Sequence, residues 1–307
     1  MGKSTAIIEY TSYYTIDNNG KHIIWFKTLT DSLLPEDMAL AADTSITNKS
    51  YITGCWINRY PFIPSCKGRI LSIYPDSASY EKTTTANKSL ASIIGKKINK
   101  IEERIQLLDK QAEEIEYYLS VHNVSDEGYN TIAAYSANVK IQKEKEEKLL
   151  STMKSLIGKK GLSVHLNEKY TLLYTDTSGT TQKKTCLRKT KVSGKPFILL
   201  QTEDKKMPDN TTALYLHKWF IPNADAEDIV ISAAHFGSTQ QGFSMKASSA
   251  KTFQGKIKSD YKHDIPQLLA PDGSPIFSKS GFFMGISYKG NIIRASEFGF
   301  GLKHLQP

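Results

Sequence analysis

The sequence predicts a mainly β protein interrupted by one long antiparallel α-helical coiled-coil hairpin, and three observations carry that reading. Strand-sized apolar runs recur on both sides of a central segment, at intervals of roughly ten residues, as in all-β barrels and sandwiches. Turn signals fall between them, among them Asp17-Asn18-Asn19-Gly20, Thr177-Ser178-Gly179 and Pro208-Asp209-Asn210. From Lys88 to Gly158 the apolar spacing changes to alternating threes and fours, the seam of a coiled coil.

From the N-terminus, Ala6-Ile7-Ile8-Glu9-Tyr10 and His22-Ile23-Ile24-Trp25-Phe26 are β-type runs on either side of the first turn. Leu33 to Ala42 reads as a short helix capped by Asp31 or Ser32. Strands follow at Tyr51 to Ile57 and Arg69 to Tyr74, separated by the loop Tyr60-Pro61-Phe62-Ile63-Pro64-Ser65.

The first helical seam runs from Leu90 through Ile94, Ile98, Ile101, Ile105 and Leu108 to Leu119, with charged residues on the other faces. It stops near His122-Asn123, where Ser125-Asp126-Glu127 supplies an N-cap and first-turn acids for a second helix. That helix carries Ile132, Tyr135, Val139, Gln142, Glu146, Leu149, Met153 and Leu156 on its seam, so two seam positions are polar. The short connection predicts an antiparallel pair. Each arm is longer than a small domain needs for its own core, which predicts a projecting arm. The alternative is internal bracing of the β domain.

Past Gly158 the strands resume: Leu162 to Leu166, Tyr170 to Tyr174, Thr185 to Lys189, Pro196 to Gln201, Ala213 to His217, Asp228 to Ala233, Phe282 to Tyr288 and Asn291 to Ala295. The expected organisation is residues 1–87 as N-terminal strands, 88–158 as the helical insertion and 159–307 as the remainder of the β domain.

Composition bounds function. The 307 residues carry a net charge of +9, but Lys and Arg are spread along the chain. The densest basic stretch, Lys183-Lys184 through Arg188, Lys189, Lys191 and Lys195, reads as the solvent face of a strand. It lacks the interleaved aromatics of a single-strand binder, which argues against nucleic acid. No apolar run reaches the roughly 18 residues of a membrane helix, so no span is expected. Cys55, Cys66 and Cys186 have no metal-ligand spacing, and the histidines form no ligand set, so no metal or other cofactor is expected. Asp260, His263 and Asp264 read as a solvated loop. Cys55 and Cys66 flank the Pro-rich loop and would close a disulfide in an exported chain, or stay buried thiols in a reducing compartment. Met1-Gly2-Lys3-Ser4-Thr5 lacks the apolar core of a signal peptide. A periplasmic or secreted mature form stays open, and compartment is not fixed.

Thr53-Gly54-Cys55-Trp56-Ile57 with Gly68-Arg69-Ile70-Leu71-Ser72 resembles the strand pair leading to the catalytic histidine of the trypsin-like serine peptidases, and two later segments resemble parts of that family in the same order. Pro196-Phe197-Ile198-Leu199-Leu200-Gln201 resembles the strand of its catalytic acid. Ala270-Pro271-Asp272-Gly273-Ser274-Pro275-Ile276, followed by Gly281-Phe282-Phe283-Met284-Gly285-Ile286, resembles the nucleophile loop and the strand after it. The resemblance implies a two-barrel trypsin-like β domain. It also implies a pseudo-peptidase. The nucleophile position holds Asp272, Ile73-Tyr74-Pro75 stands where Ala-Ala-His is expected, and the nearest acids to the acid strand are Glu203 and Asp204.

The expected function is therefore a non-catalytic binding or scaffold protein, with the hairpin as the surface for a protein partner or for self-association. One alternative is an active serine endopeptidase pairing Ser274 with His235, since Ile231-Ser232-Ala233-Ala234-His235 resembles the histidine signature. The two lie too close in sequence to build most of a second barrel between them. A structural coiled-coil adaptor with an unrelated β domain is the other alternative. In the plainer reading, Asp272-Gly273 is a hairpin turn and His235 a core or edge residue.

Overall fold

The computed structural model describes residues 1–28, 37–40, 46–58, 67–75, 83–84, 86–176, 178–191, 196–215, 228–233, 250–258 and 261–301. The chain divides into two compact units. The first comprises Met1–Thr11, Lys49–Ser77 and Glu168–Pro307, and the second Ser12–Asn48 and Ala78–Asn167. The second unit thus groups residues 88–158 with 12–48 and with the residues up to 167.

A closed six-stranded barrel organises the first unit. Its strands are β1 (Thr5–Asn18), β4 (Asn48–Asn58), β5 (Arg69–Ile73), β6 (Leu162–Thr175), β7 (Thr181–Lys191) and β8 (Phe197–Thr202). They pair in the order β1-β6-β7-β8-β5-β4, β4 returns to β1, and the two-residue strand β9 (Leu214–Tyr215) pairs parallel with the end of β4. Alternation explains the closure: Ala6, Ile8 and Tyr10, Trp56, Ile70, Leu172, Cys186, Ile198 and Leu200 all point into one interior cluster. The opposite faces of β4, β5 and β8 are also covered. Cys55, Ile57, Leu71, Ile73, Phe197 and Leu199 pack with Ile286 and Phe298 of the C-terminal segment. Burial on both faces is why β8 is a continuous apolar run.

That segment forms a five-stranded antiparallel sheet in the order β11-β10-β12-β13-β14. The strands are β10 (Asp228–Ala233), β11 (Lys251–Lys256), β12 (Pro275–Ser278), β13 (Phe283–Tyr288) and β14 (Asn291–Arg294). β11 and β12 were not legible as strands; Gly255 and the short Pro275–Ser278 run weaken the alternation. Single bridges join Ile257 to His263 and Lys262 to Asn291.

In the second unit the far part of β1 pairs with β2 (Lys21–Phe26), from Tyr14↔Phe26 to Asn18↔Lys21. Asn19 (φ 50°) and Gly20 (φ 80°) make the turn with the positive φ that a tight hairpin needs. Where a helix was expected over Leu33 to Ala42, Met38–Ala39 form strand β3, paired to Trp25 and Phe26. Tertiary pairing overrides the local helical pattern there; the rest of that stretch lies largely outside the described residues.

Two long helices complete this unit, α1 (Leu90–Val121) and α2 (Tyr129–Leu156). They run antiparallel: Lys154 pairs with Glu102 at 2.7 Å and Lys143 with Asp109 at 2.5 Å, so partners descend on one helix as they ascend on the other. Near their base, Leu90, Ile94, Ile98, Ile101, Leu149, Met153 and Leu156 pack on Tyr14, Ile16, Ile24 and Phe26. Farther out, Leu108, Ile115 and Val139 form a separate cluster made by the two helices alone, with Ala112, Leu119 and Ile132 packed against it. Three details differ from expectation. Tyr135, assigned to the seam, is 48% exposed, and Lys97, assigned to the outer face, is buried. The N-cap of α2 is Gly128 at φ 87°, without a side-chain cap. Asp126 instead accepts a hydrogen bond from the Asn123 N–H at 2.8 Å within the connection.

Candidate functional site

The turn resembling a nucleophile loop lies between β11 and β12. Gly273 has φ +90°, and a Cβ there would stand 2.0 Å from the Thr53 carbonyl oxygen on β4, so only glycine fits. Its N–H donates to the Ser287 carbonyl at 2.8 Å. Ser274 is fully buried, and its hydroxyl donates to the Pro271 carbonyl at 2.6 Å. Asp272 Oδ1 accepts from the Lys289 N–H at 2.8 Å and holds the β13–β14 turn. The side chains of Asp272 and Ser274 are thus engaged in local structure. His235 lies outside the described residues.

Tyr74 is 5% exposed, and its hydroxyl donates to Glu168 Oε1 at 2.7 Å. Tyr10 and Tyr170 donate to the same oxygen at 3.0 and 3.2 Å, and Arg188 donates to Oε2. These residues continue the inward register of β1, β6 and β7, so the apolar interior ends in a polar plug. Burial, and then the Glu168 carboxylate, push the phenols of Tyr74 and Tyr170 well above their ordinary range, so both remain hydrogen-bond donors. Glu168 was missed in the sequence. The available signal was an acid two positions before Tyr170 in an inward register, which predicts buried donors around it. Of the acids near the acid strand, Asp204 pairs with Lys184 at 2.7 Å.

Two histidine pairs test the catalytic reading by geometry. In the first unit His263 is 4% exposed, so the expectation of a solvated loop is corrected; its bridge to Ile257 places it in the sheet. Its Nε2 lies 3.0 Å from the hydroxyl of buried Ser287, and Nδ1 has no partner of normal geometry among the described residues. Burial lowers its pKa and keeps the ring neutral. In the second unit buried Asp17 pairs with His22 Nδ1 at 2.6 Å and lies 3.8 Å from His165 Nε2. Ser163 approaches that same Nε2 at 2.8 Å. A catalytic histidine meets its nucleophile through one ring nitrogen and its acid through the other. Neither pair is arranged so.

Cys55 is a free buried thiol, and Cys66 lies outside the described residues. Burial raises the Cys55 thiol and pushes that of Cys186 up to about 11. Among the described residues no His, Cys, Asp and Glu side chains group as metal ligands, and no helix is long and apolar enough to cross a membrane.

The described residues define a mainly β protein with a closed six-stranded barrel and a pair of long helices. No protein-family model matches the chain, and no curated protein matches its sequence. Among solved structures it is similar to the MamO protease domain from Magnetospirillum magneticum in its apo form, at 13% identity over 45% of this chain and 76% of that one, with a TM-score of 0.32. The likeness to a trypsin-like fold is loose.

Proposed function

We propose that this chain is a non-catalytic binding or scaffold protein on a degenerate trypsin-like fold. The helical pair serves as a coiled-coil arm for a protein partner or for self-association. The observation that carries the reading is the state of Ser274: its hydroxyl is sealed from solvent and bonded to the Pro271 carbonyl, where no substrate reaches it. Two further observations support it. A trypsin-like site needs the N–H two positions before the nucleophile to face the oxyanion. Counted back from Asp272, which holds the nucleophile position, that N–H belongs to Ala270, and it donates to the Pro266 carbonyl at 3.0 Å. At the histidine position Tyr74 is engaged by Glu168. The bridges from Ile257 to His263 and from Lys262 to Asn291, which link the outer strands of the C-terminal sheet, favour a second barrel. The outer helical cluster, built by the two helices alone, favours an arm.

A fluorophosphonate probe with intact-mass readout tests the non-catalytic claim. No adduct is expected. An adduct that disappears in Ser274→Ala, or in His235→Ala, establishes the serine endopeptidase instead.

A further inference from the structure

The outer part of the helical pair combines three features that point to one occupant. Between residues 111 and 139 the chain carries Glu113, Glu114, Glu116, Asp126 and Glu127 and no lysine or arginine, although its net charge is +9. Tyr117, Val121 and Val124 are 71%, 57% and 67% exposed, and their spacing of four and then three sets Tyr117 and Val121 on one helix face, with Val124 just past the helix end. The connection is ordered. His122 stacks on Tyr118 at 3.9 Å, and Asp126 holds the Asn123 N–H. An exposed apolar face rimmed by acids is a surface for an apolar spot rimmed by bases.

Such a spot lies on the barrel. Leu187 on β7 is 46% exposed, although it stands mid-strand. On the same outward face β7 carries exposed Lys183, which lies 3.5 Å from Glu9, the paired strand β6 adds exposed Lys169, and exposed Lys189 follows at the register shift after Arg188. Alternation fixes Lys183 and Leu187 as outward, because Cys186 points into the barrel.

We infer that the acidic outer end of the arm docks on the Leu187 face of β7 in a second copy of this chain. The inference rests on the reading of the helical pair as an arm and names its partner. Two arm ends do not pair with each other, since each carries the same negative charge. The contact joins two different surfaces, so a pair of copies keeps one free surface of each kind. Head-to-tail growth into a ring or filament follows.

The test is sedimentation velocity of the full chain at about 0.01 M and about 1 M salt, where screening lengths differ by roughly tenfold. Association that rises with protein concentration at low salt and falls at high salt is expected. Glu113→Lys with Glu116→Lys, and separately Lys169→Glu with Lys189→Glu, each weaken it by about tenfold or more. Mixing the two variants restores one contact, between the unaltered arm of one and the unaltered β7 face of the other. These positions are exposed, and an unchanged circular dichroism spectrum verifies the fold. A chain that stays monomeric at low salt, or association that ignores either pair of reversals, overturns the inference. Neither result bears on the non-catalytic reading, which the fluorophosphonate probe decides separately.

Discussion

The barrel and the helical pair each bury a glutamate, and they satisfy it differently. Glu168 closes the barrel interior with three phenols on one oxygen and a guanidinium on the other, contributed by β1, β6, β7 and the end of β5. Glu146, 5% exposed on the α2 seam, receives the Gln142 amide at 3.2 Å, and Arg104 approaches at 3.7 Å. The first is a network that joins strands distant in sequence. The second is a carboxylate held, with Gln142 and Arg104 among its partners, in a seam where an apolar side chain would pack. A buried carboxylate stabilises when its donors converge, and is replaceable by a hydrocarbon when they do not.

The largest expected effect follows from the first half of that contrast. Glu168→Ala leaves three buried hydroxyls and Arg188 without their acceptor, and should destabilise the protein by about 3–5 kcal/mol in urea unfolding followed by tryptophan fluorescence. A loss below about 1 kcal/mol would mean that water or other groups already satisfy the phenols. Glu146→Leu should act in the opposite direction. Completing the apolar seam should raise the thermal midpoint of the helical signal at 222 nm, with a gain of about 1 kcal/mol. A loss would show that Glu146 specifies the register of the pair.

The smallest effect belongs to a third carboxylate, exposed in the β6–β7 turn. Asp176 accepts from the Ser178 hydroxyl and N–H, the Gln182 amide and the Thr180 N–H, which together lower its pKa to about 2, the Ser178 hydroxyl contributing most. Because the folded pKa lies below the unfolded one, this turn's stabilisation is present above about pH 4. It is lost as the pH falls through about 2. NMR titration of the Asp176 carboxyl should show the depressed midpoint, and Ser178→Ala should move it upward. An unchanged midpoint would remove Ser178 from the account.

This contrast also explains what the sequence could tell. The strands around Cys55, Leu71 and Leu199 were legible as short apolar runs between turns, because both of their faces are buried, and the seam from Leu90 to Ile115 because its burial follows steps of three and four. Tyr135 broke the helical period because the pairing of the two helices leaves its position exposed. Met38–Ala39 and His263 were misread because their places are set by pairing with Trp25 and Ile257, residues that a local window does not hold. Glu168 was invisible for the same reason: its donors come from positions 10, 74, 170 and 188. The Asp272, Gly273 and Ser274 stretch was legible as a turn. That the Ser274 hydroxyl points inward depends on Pro271 and on the approach of Thr53 to Gly273.

The most direct test of the central claim is the turnover of a quenched-fluorescent peptide library by the wild-type chain and by Ser274→Ala. The account predicts background rates for both, with Ser274→Ala less stable by about 1 kcal/mol through loss of its hydrogen bond. Turnover by the wild type that Ser274→Ala abolishes would contradict it.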